Sequence, residues 1–383
     1  MQECYHIRVE TTGKKTSSKT LIYQLPAGDS GNPYFKLLDE ALDHQLGVEI
    51  IGYGGKLLIP LIFRRSGTIR PSRAAETPTK EIIHIHWETC LYGSRYVLKS
   101  LALLGLNFLS LAALKARGTR VVWTMHNTRA HDYPHPLIDA MGKAMMFRYA
   151  DAILIHQGRV AAEYARRYPA KHVAWVPHGS YVGYYSEPSA AQAEALRARL
   201  GIEAGDTVIL SLGMIRPYKK TEAIIRAFMQ TRDAEGSRPA RPDLRLVIAG
   251  SCDRAYAARL AALAAGDARI SFMPGFVPDT DIAAYLRIAD RSVFFYDDSE
   301  LTSGGIVLSL SYGVPVLSRD IPGAEIVKRG VNGELFDDEA GLARALASLH
   351  QATPAEREAA RASAARSDWD SSAKKIYDIY AGL

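Results

Sequence analysis

The chain has 383 residues, 48% of them hydrophobic and 23% charged, a globular composition that excludes a disordered, collagen-like or disulfide-stapled protein. At about 150 residues per domain, this length favours two medium domains over one large core. The formal charge of +6 is uneven, with a net +8 on residues 1–190 and a net −2 on residues 191–383, so the first half is expected to face something anionic, such as phosphate, a membrane surface or nucleic acid.

The N-terminus, MQECYHIRVE, holds neither an apolar core segment nor a small-residue cleavage site, so the chain is expected to start in the cytoplasm. Cys4, Cys90 and Cys252 are odd in number and far apart, against a disulfide framework or a cysteine zinc site. The longest apolar stretch, 101–114 (LALLGLNFLSLAAL), is flanked by Lys99, Lys115 and Arg117. It falls short of the ~20 residues a spanning helix needs, so a buried or interfacial helix is expected.

Short β-branched runs alternate with longer helical stretches and no solenoid repeat is visible, the pattern of βαβ units and a mostly parallel sheet. In chain order, strands are predicted at 20–25, 48–51, 81–86, 120–125, 152–155 and 172–176, with helices at 33–44, 95–116, 136–148 and 159–167. The stretch 179–190, GSYVGYYSEPSA, has neither period and reads as an interdomain linker. The pattern restarts with strands at 207–212, 244–249, 270–272, 292–295 and 314–318, and helices beginning near Lys220, Ala255, Asp279 and Thr302. The boundaries are placed at 1–182 for the first domain, 183–204 for the linker, 205–366 for the second domain and 367–383 for a last helix that could pack back on the first. Two α/β domains with one crossover are expected to face a central cleft lined by the carboxyl ends of their strands, where open α/β sheets bind ligands.

Two segments carry chemistry on their own residues. In LGMIRPYKKTEAIIRA, a strand ends at Gly213 and a short loop presents Arg216, Lys219 and Lys220 before a helix. Arginine pairs bidentately with a diphosphate and lysine adds a point charge, although a solvated helix start has the same composition. In SVFFYDDSELTSGGIVLSLSYGVPV, a strand runs into Asp297, Asp298 and Glu300, and then Thr302, Ser303, Gly304 and Gly305 open a helix. Free N–H groups at a helix start favour an anion, and glycines let it approach the backbone. A capped helix with an exposed Glu300 fits the same residues.

The order LGxIRPYK, LVIAG, PGFVPDTDIAAYLRIAD, ELTSGGIVLSLSYGVPV and GAEIVKRGVNGELF across residues 205–350 resembles the nucleotide-binding domain of GT-B glycosyltransferases, most closely glycosyltransferase family 4. The first half resembles that family's acceptor domain more loosely, through AGDSGNPYFKLL, VWTMHN and WVPHG. The resemblance implies an α/β fold of two Rossmann-like parallel-sheet domains, with His126, Glu300, Arg216 and Lys219 as catalytic residues. It implies a donor site at Gly31, Asn32, Gly213, Lys220, Phe276, Val277, Thr302, Ser303, Gly304 and Gly305. No cofactor or metal is expected. His84 and His86 share one strand face without a third ligand at metal-site spacing.

Two departures from the family pattern stand out. The second glutamate, which holds the ribose in the family, is Leu308 here, leaving Asp297, Asp298 or backbone groups as candidates for that role. The arginine after the strand glycine is Met214, with Arg216 offset by two. This variant resembles the branch associated with bacterial exopolysaccharide assembly, which implies transfer of a hexose from GDP-mannose or a UDP-sugar to a hydroxyl of a polyprenyl-diphosphate-linked glycan, with retention of configuration. An inverting reaction would need a base, for which Glu88, Asp132 and His131 are candidates by position. A nucleotide-sugar epimerase of the same architecture is the alternative. The basic loop with Arg64, Arg65, Arg70 and Arg73, together with the helix at 95–117, leaves open a solvated face or docking to an anionic inner membrane leaflet. Nucleic acid is not an expected partner, since no recognition motif accompanies the charge.

Overall fold

The computed structural model describes residues 20–27, 33–46, 49–62, 80–131, 133–231 and 240–383. The predicted site residues Gly31 and Asn32, the alternative base Asp132 and the basic loop at 64–73 lie outside the described residues. The chain divides into two compact units, 1–177 with 369–383, and 178–368.

The first unit contains β1 (Thr20–Leu25), α1 (Pro33–Leu46), β2 (Glu49–Gly52), α2 (Ile59–Ile62), β3 (Lys80–Ile85), α3 (Thr89–Tyr92), α4 (Val97–Ala116), β4 (Arg120–Thr124), α5 (Pro136–Tyr149), β5 (Ala152–Ile155), α6 (Gly158–Arg167) and β6 (His172–Trp175). Its six strands form one sheet in the order β2-β1-β3-β4-β5-β6, parallel throughout. Parallel strands are covered on both faces, which is why Ile82, Val122, Ile153 and Leu154 are all fully buried. The strand order reverses between β1 and β3, so the switch point of this sheet lies at the carboxyl ends of those two strands.

The second unit contains α7 (Ala190–Arg199), β7 (Thr207–Leu212), α8 (Thr221–Met229), β8 (Leu244–Gly250), α9 (Arg254–Ala264), β9 (Ile270–Pro274), α10 (Asp279–Ile288), β10 (Arg291–Phe294), α11 (Gly304–Ser311), β11 (Val316–Arg319), β12 (Gly333–Phe336), α12 (Glu339–Ala347) and α13 (Pro354–Ala365). Its sheet runs β12-β11-β10-β7-β8-β9, again parallel. Counted within the unit this is the doubly wound order 3-2-1-4-5-6, with the switch point between β7 and β10. The stretch 183–204, read from sequence as a linker, holds α7, whose start is fixed by a reciprocal cap between Ser189 and Gln192 and which packs against α10. The edge strand β12, unassigned from sequence, has only four residues, GELF.

The last helix, α14 (Trp369–Gly382), belongs to the first unit. Trp369, Ala373, Ile376 and Tyr380 join Tyr34, Phe35, Leu38 and Leu42 of α1 in one core. Polar ties fix its register: the Ser372 hydroxyl donates to Pro177 O at 2.8 Å, and Lys80 Nζ donates to Tyr380 O at 2.6 Å and Ala381 O at 3.1 Å, satisfying carbonyls that the helix end leaves open. Ile376 is fully buried in this core. Ile376→Ala is therefore expected to cost about 2–5 kcal/mol, seen as an earlier urea transition by circular dichroism.

Candidate functional site

In the second unit the predicted motifs converge on one sheet edge. Gly213 follows β7 with φ +115° and Gly250 ends β8 with φ +152°, both in a region that favours glycine. A Cβ on Gly250 would collide with Gly213 O, so LVIAG needs its terminal glycine for the two strand ends to meet. The loop then runs on through a parallel bridge between Ile215 and Cys252. Arg216, half-buried in this loop, lowers the pKa of the Cys252 thiol against a larger upward push from burial.

Lys219 and Lys220 go opposite ways. Lys219 Nζ lies 5.5 Å from the Tyr296 ring centre and 3.7 Å from where a Cβ on Gly213 would sit. Lys220, in the left-handed conformation at φ +48°, places its amine 5.8 Å from the Phe295 ring centre. Successive side chains of an extended segment face opposite sides. Tyr296 accordingly packs in the cluster with Ile306 and Leu310 of α11, and Phe295 in the cluster with α8 and Leu342. The structure brings Lys219, and not Lys220, to the α11 side.

The start of α11 is capped and closely packed. Ser303 caps the helix by accepting from Ile306 N at 3.2 Å, and its hydroxyl also bonds the buried Tyr296 hydroxyl, whose pKa burial raises well above the ordinary value. A Cβ on Gly305 would come 2.8 Å from Phe294, so only glycine allows the helix to sit this close to β10. Thr302 Oγ1 is buried with no protein partner, a cost that a ligand oxygen would remove. Glu300 is half-buried and held by its backbone, since its carbonyl accepts from Gly323 N at 3.1 Å. A Cβ on Gly323 would come 3.1 Å from Glu300 O, a tight contact that favours the glycine opening GAEIV.

The acidic residues suggested as substitutes for the ribose-binding glutamate are already engaged. Asp298 pairs with Arg319 at 2.6 Å, and Asp297 accepts from Ser299 N at 3.0 Å and from its hydroxyl. Both shape the loop that presents Glu300. Leu308 is half-buried on α11. Phe276 and Val277 follow β9 at the same carboxyl edge, with Phe276 largely exposed.

In the first unit the carboxyl ends of β3, β4 and β5 deliver His86, His126 and His156 around Tyr34, which comes from the first turn of α1. The Tyr34 ring centre is 5.4, 5.2 and 5.6 Å from theirs respectively, and Trp87 stacks on His126 at 4.3 Å. His156 Nδ1 contacts Val176 O at 2.8 Å and so must donate, which leaves Nε2 to accept from the Tyr34 hydroxyl at 3.2 Å. Sequence reasoning places His126 here and, through HIHWE (84–88) at a strand end lining the acceptor cleft, also His86 and Trp87, but does not single out Tyr34 or His156. Their shared signal is position at a strand end or helix start on one edge.

His84 bonds Tyr380 Oη at 2.6 Å and Thr124 Oγ1 at 2.7 Å, tying α14 to the sheet. Among the described residues no group of three or more histidines, cysteines or carboxylates is placed to hold a metal ion. Glu88 is buried, paired with Lys143 at 2.7 Å and accepting from Trp123 Nε1 at 3.2 Å. Lys143 also pairs with Asp139 at 2.8 Å. Glu88 therefore serves the packing of α5 on the sheet, unlike the base its position suggested. His131, the other described candidate base, is half-buried.

Residues 192–367 match the family described as "Glycosyl transferases group 1". They form a group 1 glycosyltransferase domain. The chain is 26% identical over 246 residues to the GDP-mannose:glycolipid 4-beta-D-mannosyltransferase of Xanthomonas campestris pv. campestris, covering 62% of this chain and 61% of that protein. It is 28% identical over 291 residues to the D-inositol 3-phosphate glycosyltransferase of Thermobispora bispora, covering 69% of this chain and 65% of the relative. The match thus spans less than two thirds of each relative. Among solved structures, Anabaena HepE in complex with UDP-glucose superposes with a TM-score of 0.66 at 15% identity, over 95% of this chain and all of that one. Sucrose-phosphate synthase from Thermosynechococcus elongatus gives 0.65 at 17%, over 95% and 99%. The fold of both units is that of the GT-B glycosyltransferases.

The buried histidines make stability pH-dependent. Burial pushes His84 down to about 3, His178 down to about 4 and His86 well below its ordinary value. Each binds a proton near pH 6.5 only when unfolded, so each removes about 1.4 kcal/mol of stability per pH unit as pH falls below that point. Asp39 acts in the opposite sense: burial raises it to about 7, so the folded chain takes up this proton first and gains stability as pH falls toward the ordinary carboxylate range. These groups leave each unit short of one proton when folded. Urea unfolding measured between about pH 6.5 and 4 should show each unit losing about 1.4 kcal/mol per pH unit.

Proposed function

We propose that the protein transfers a hexose from a nucleoside-diphosphate sugar to a hydroxyl of a glycolipid. The observation that carries this reading is the placing of Arg216 and Lys219 after β7 and of the start of α11 after β10, the two strands that flank the switch point, in a domain matched to group 1 glycosyltransferases. The Xanthomonas relative, named for GDP-mannose and glycolipid, supports a lipid-linked acceptor of the kind used in bacterial exopolysaccharide assembly. Its name and that of the UDP-glucose complex keep GDP-mannose and UDP-sugars as the donors to test first.

Glycosyl transfer breaks the bond between the sugar's anomeric carbon and the diphosphate oxygen, and the departing diphosphate gains negative charge. Fixed positive groups at that oxygen are the main lever on the rate. Arg216, Lys219 and the free N–H groups at the start of α11 supply them, Thr302 Oγ1 offers a hydroxyl, and Glu300 accepts from the sugar hydroxyls. His126 binds the sugar or the incoming hydroxyl. The engagement of Glu88 by Lys143 and Trp123 favours the departing diphosphate itself as acceptor of the acceptor's proton, which is the retaining course. The 4-beta linkage in the relative's name makes the anomeric configuration of the product the measurement that decides between courses.

Incubation with labelled GDP-mannose or UDP-glucose and a bacterial lipid extract should move label into the organic phase. Arg216→Ala, Lys219→Ala and Glu300→Gln should each lower the rate by about 10²–10³ while leaving the thermal midpoint unchanged. Donor conversion without acceptor, or near-normal rates in all three variants, would contradict the proposal.

A further inference from the structure

We infer that the outward faces of α4 and α5 form a surface that inserts shallowly into an anionic lipid bilayer without spanning it. The inference is independent of which sugar the protein transfers.

Helix α4 is patterned inside out. Its outward face carries Val97, Leu98, Leu101, Leu106, Phe108 and Leu109, with Leu98 82% and Leu109 65% exposed. Its buried face carries Ser100, Asn107 and Ser110 between leucines. A helix on a water-facing surface shows the reverse arrangement. The patch continues onto α5, where Leu137 is 80% exposed and Met141 is also exposed. The two helices meet where Phe108 packs edge-on to Tyr149 at 5.2 Å. A contiguous apolar surface built from two helices marks an interaction site rather than scattered surface leucines.

The charges around this patch decide the partner. The exposed charged residues on the two helices and at the ends of α4 are Arg95, Lys99, Arg117 and Arg148, all basic. Among the described residues the nearby acids are turned inward: Asp139 is buried and bonded to Lys143 and Tyr92, and Asp151 pairs with Lys115 and accepts from Val121 N at 2.8 Å. A cationic rim around an apolar face matches anionic headgroups over acyl chains. Two copies joined through this face about a two-fold axis would bring the same cations together, which costs affinity.

By length and composition α4 could cross a membrane. Its inner face excludes that. Asn107 Nδ2 donates to Lys56 O and Leu91 O, both at 2.7 Å, and Oδ1 accepts from Leu58 N at 2.9 Å. A spanning helix would break all three bonds and carry the amide into hydrocarbon, where an unpaired polar group is costly. The helix therefore stays docked on its unit and offers lipid only its outward half.

The test is flotation of the full chain with vesicles of phosphatidylcholine alone or mixed with phosphatidylglycerol. The wild type should float with the mixed vesicles and much less with the neutral ones. The variant L98E/L109E should lose at least about tenfold in partitioning, while its circular dichroism and its affinity for UDP or GDP stay at wild-type values. Three outcomes would overturn the inference: no flotation of the wild type, flotation of the variant equal to wild type, or a wild-type dimer dispersed by the same substitutions with no binding to vesicles.

Discussion

In a parallel sheet every strand ends on the same edge, and the helix that follows begins there with N–H groups that nothing in the helix can satisfy. The candidate site depends on this constraint. In the second unit the strand order reverses between β7 and β10, which opens a crevice at that edge, and the chain fills its rim with Arg216, Lys219, Thr302 and Ser303. The two glycine-dependent contacts, Gly250 on Gly213 and Gly305 on Phe294, bring backbone close enough for the crevice to be narrow. A side chain at either position would force these contacts apart.

The first unit uses the same edge differently. It gathers uncharged rings: His86, His126 and His156 around Tyr34, with Trp87 stacked on His126. Burial keeps His84 and His86 neutral, so the carboxyl ends of these strands present hydrogen-bonding rings and apolar faces in place of cations. That suits polyhydroxylated groups better than phosphate. Among the described residues of this half, exposed cations lie on the flanks of α4 and α5.

The sheet architecture was legible because buried parallel strands read as unbroken β-branched runs; β1, β5 and β7 fall at their predicted bounds. Short elements with little periodicity were not, as the four residues of β12 and the helix α7 inside an expected linker illustrate. The donor loop was legible in its residue types, since cations and a capped glycine turn announce phosphate chemistry by themselves. Their directions were not: Lys219 and Lys220 are neighbours in sequence, and only the left-handed backbone at Lys220 and the opposed faces of Phe295 and Tyr296 separate them. Glu88 shows the same limit, because its partners Lys143 and Trp123 come from distant elements and no local pattern forecasts an ion pair.

The central claim is that the second unit binds a diphosphate through the β7–β10 crevice. Calorimetric titration of UDP and UMP, and of GDP and GMP, into wild type and Lys219→Ala tests it most directly. The diphosphates should lose about tenfold or more in affinity, as a charge-assisted bond is worth about 1.5–3 kcal/mol, while the monophosphates change little. Equal losses for mono- and diphosphate, or none for either, would contradict the account.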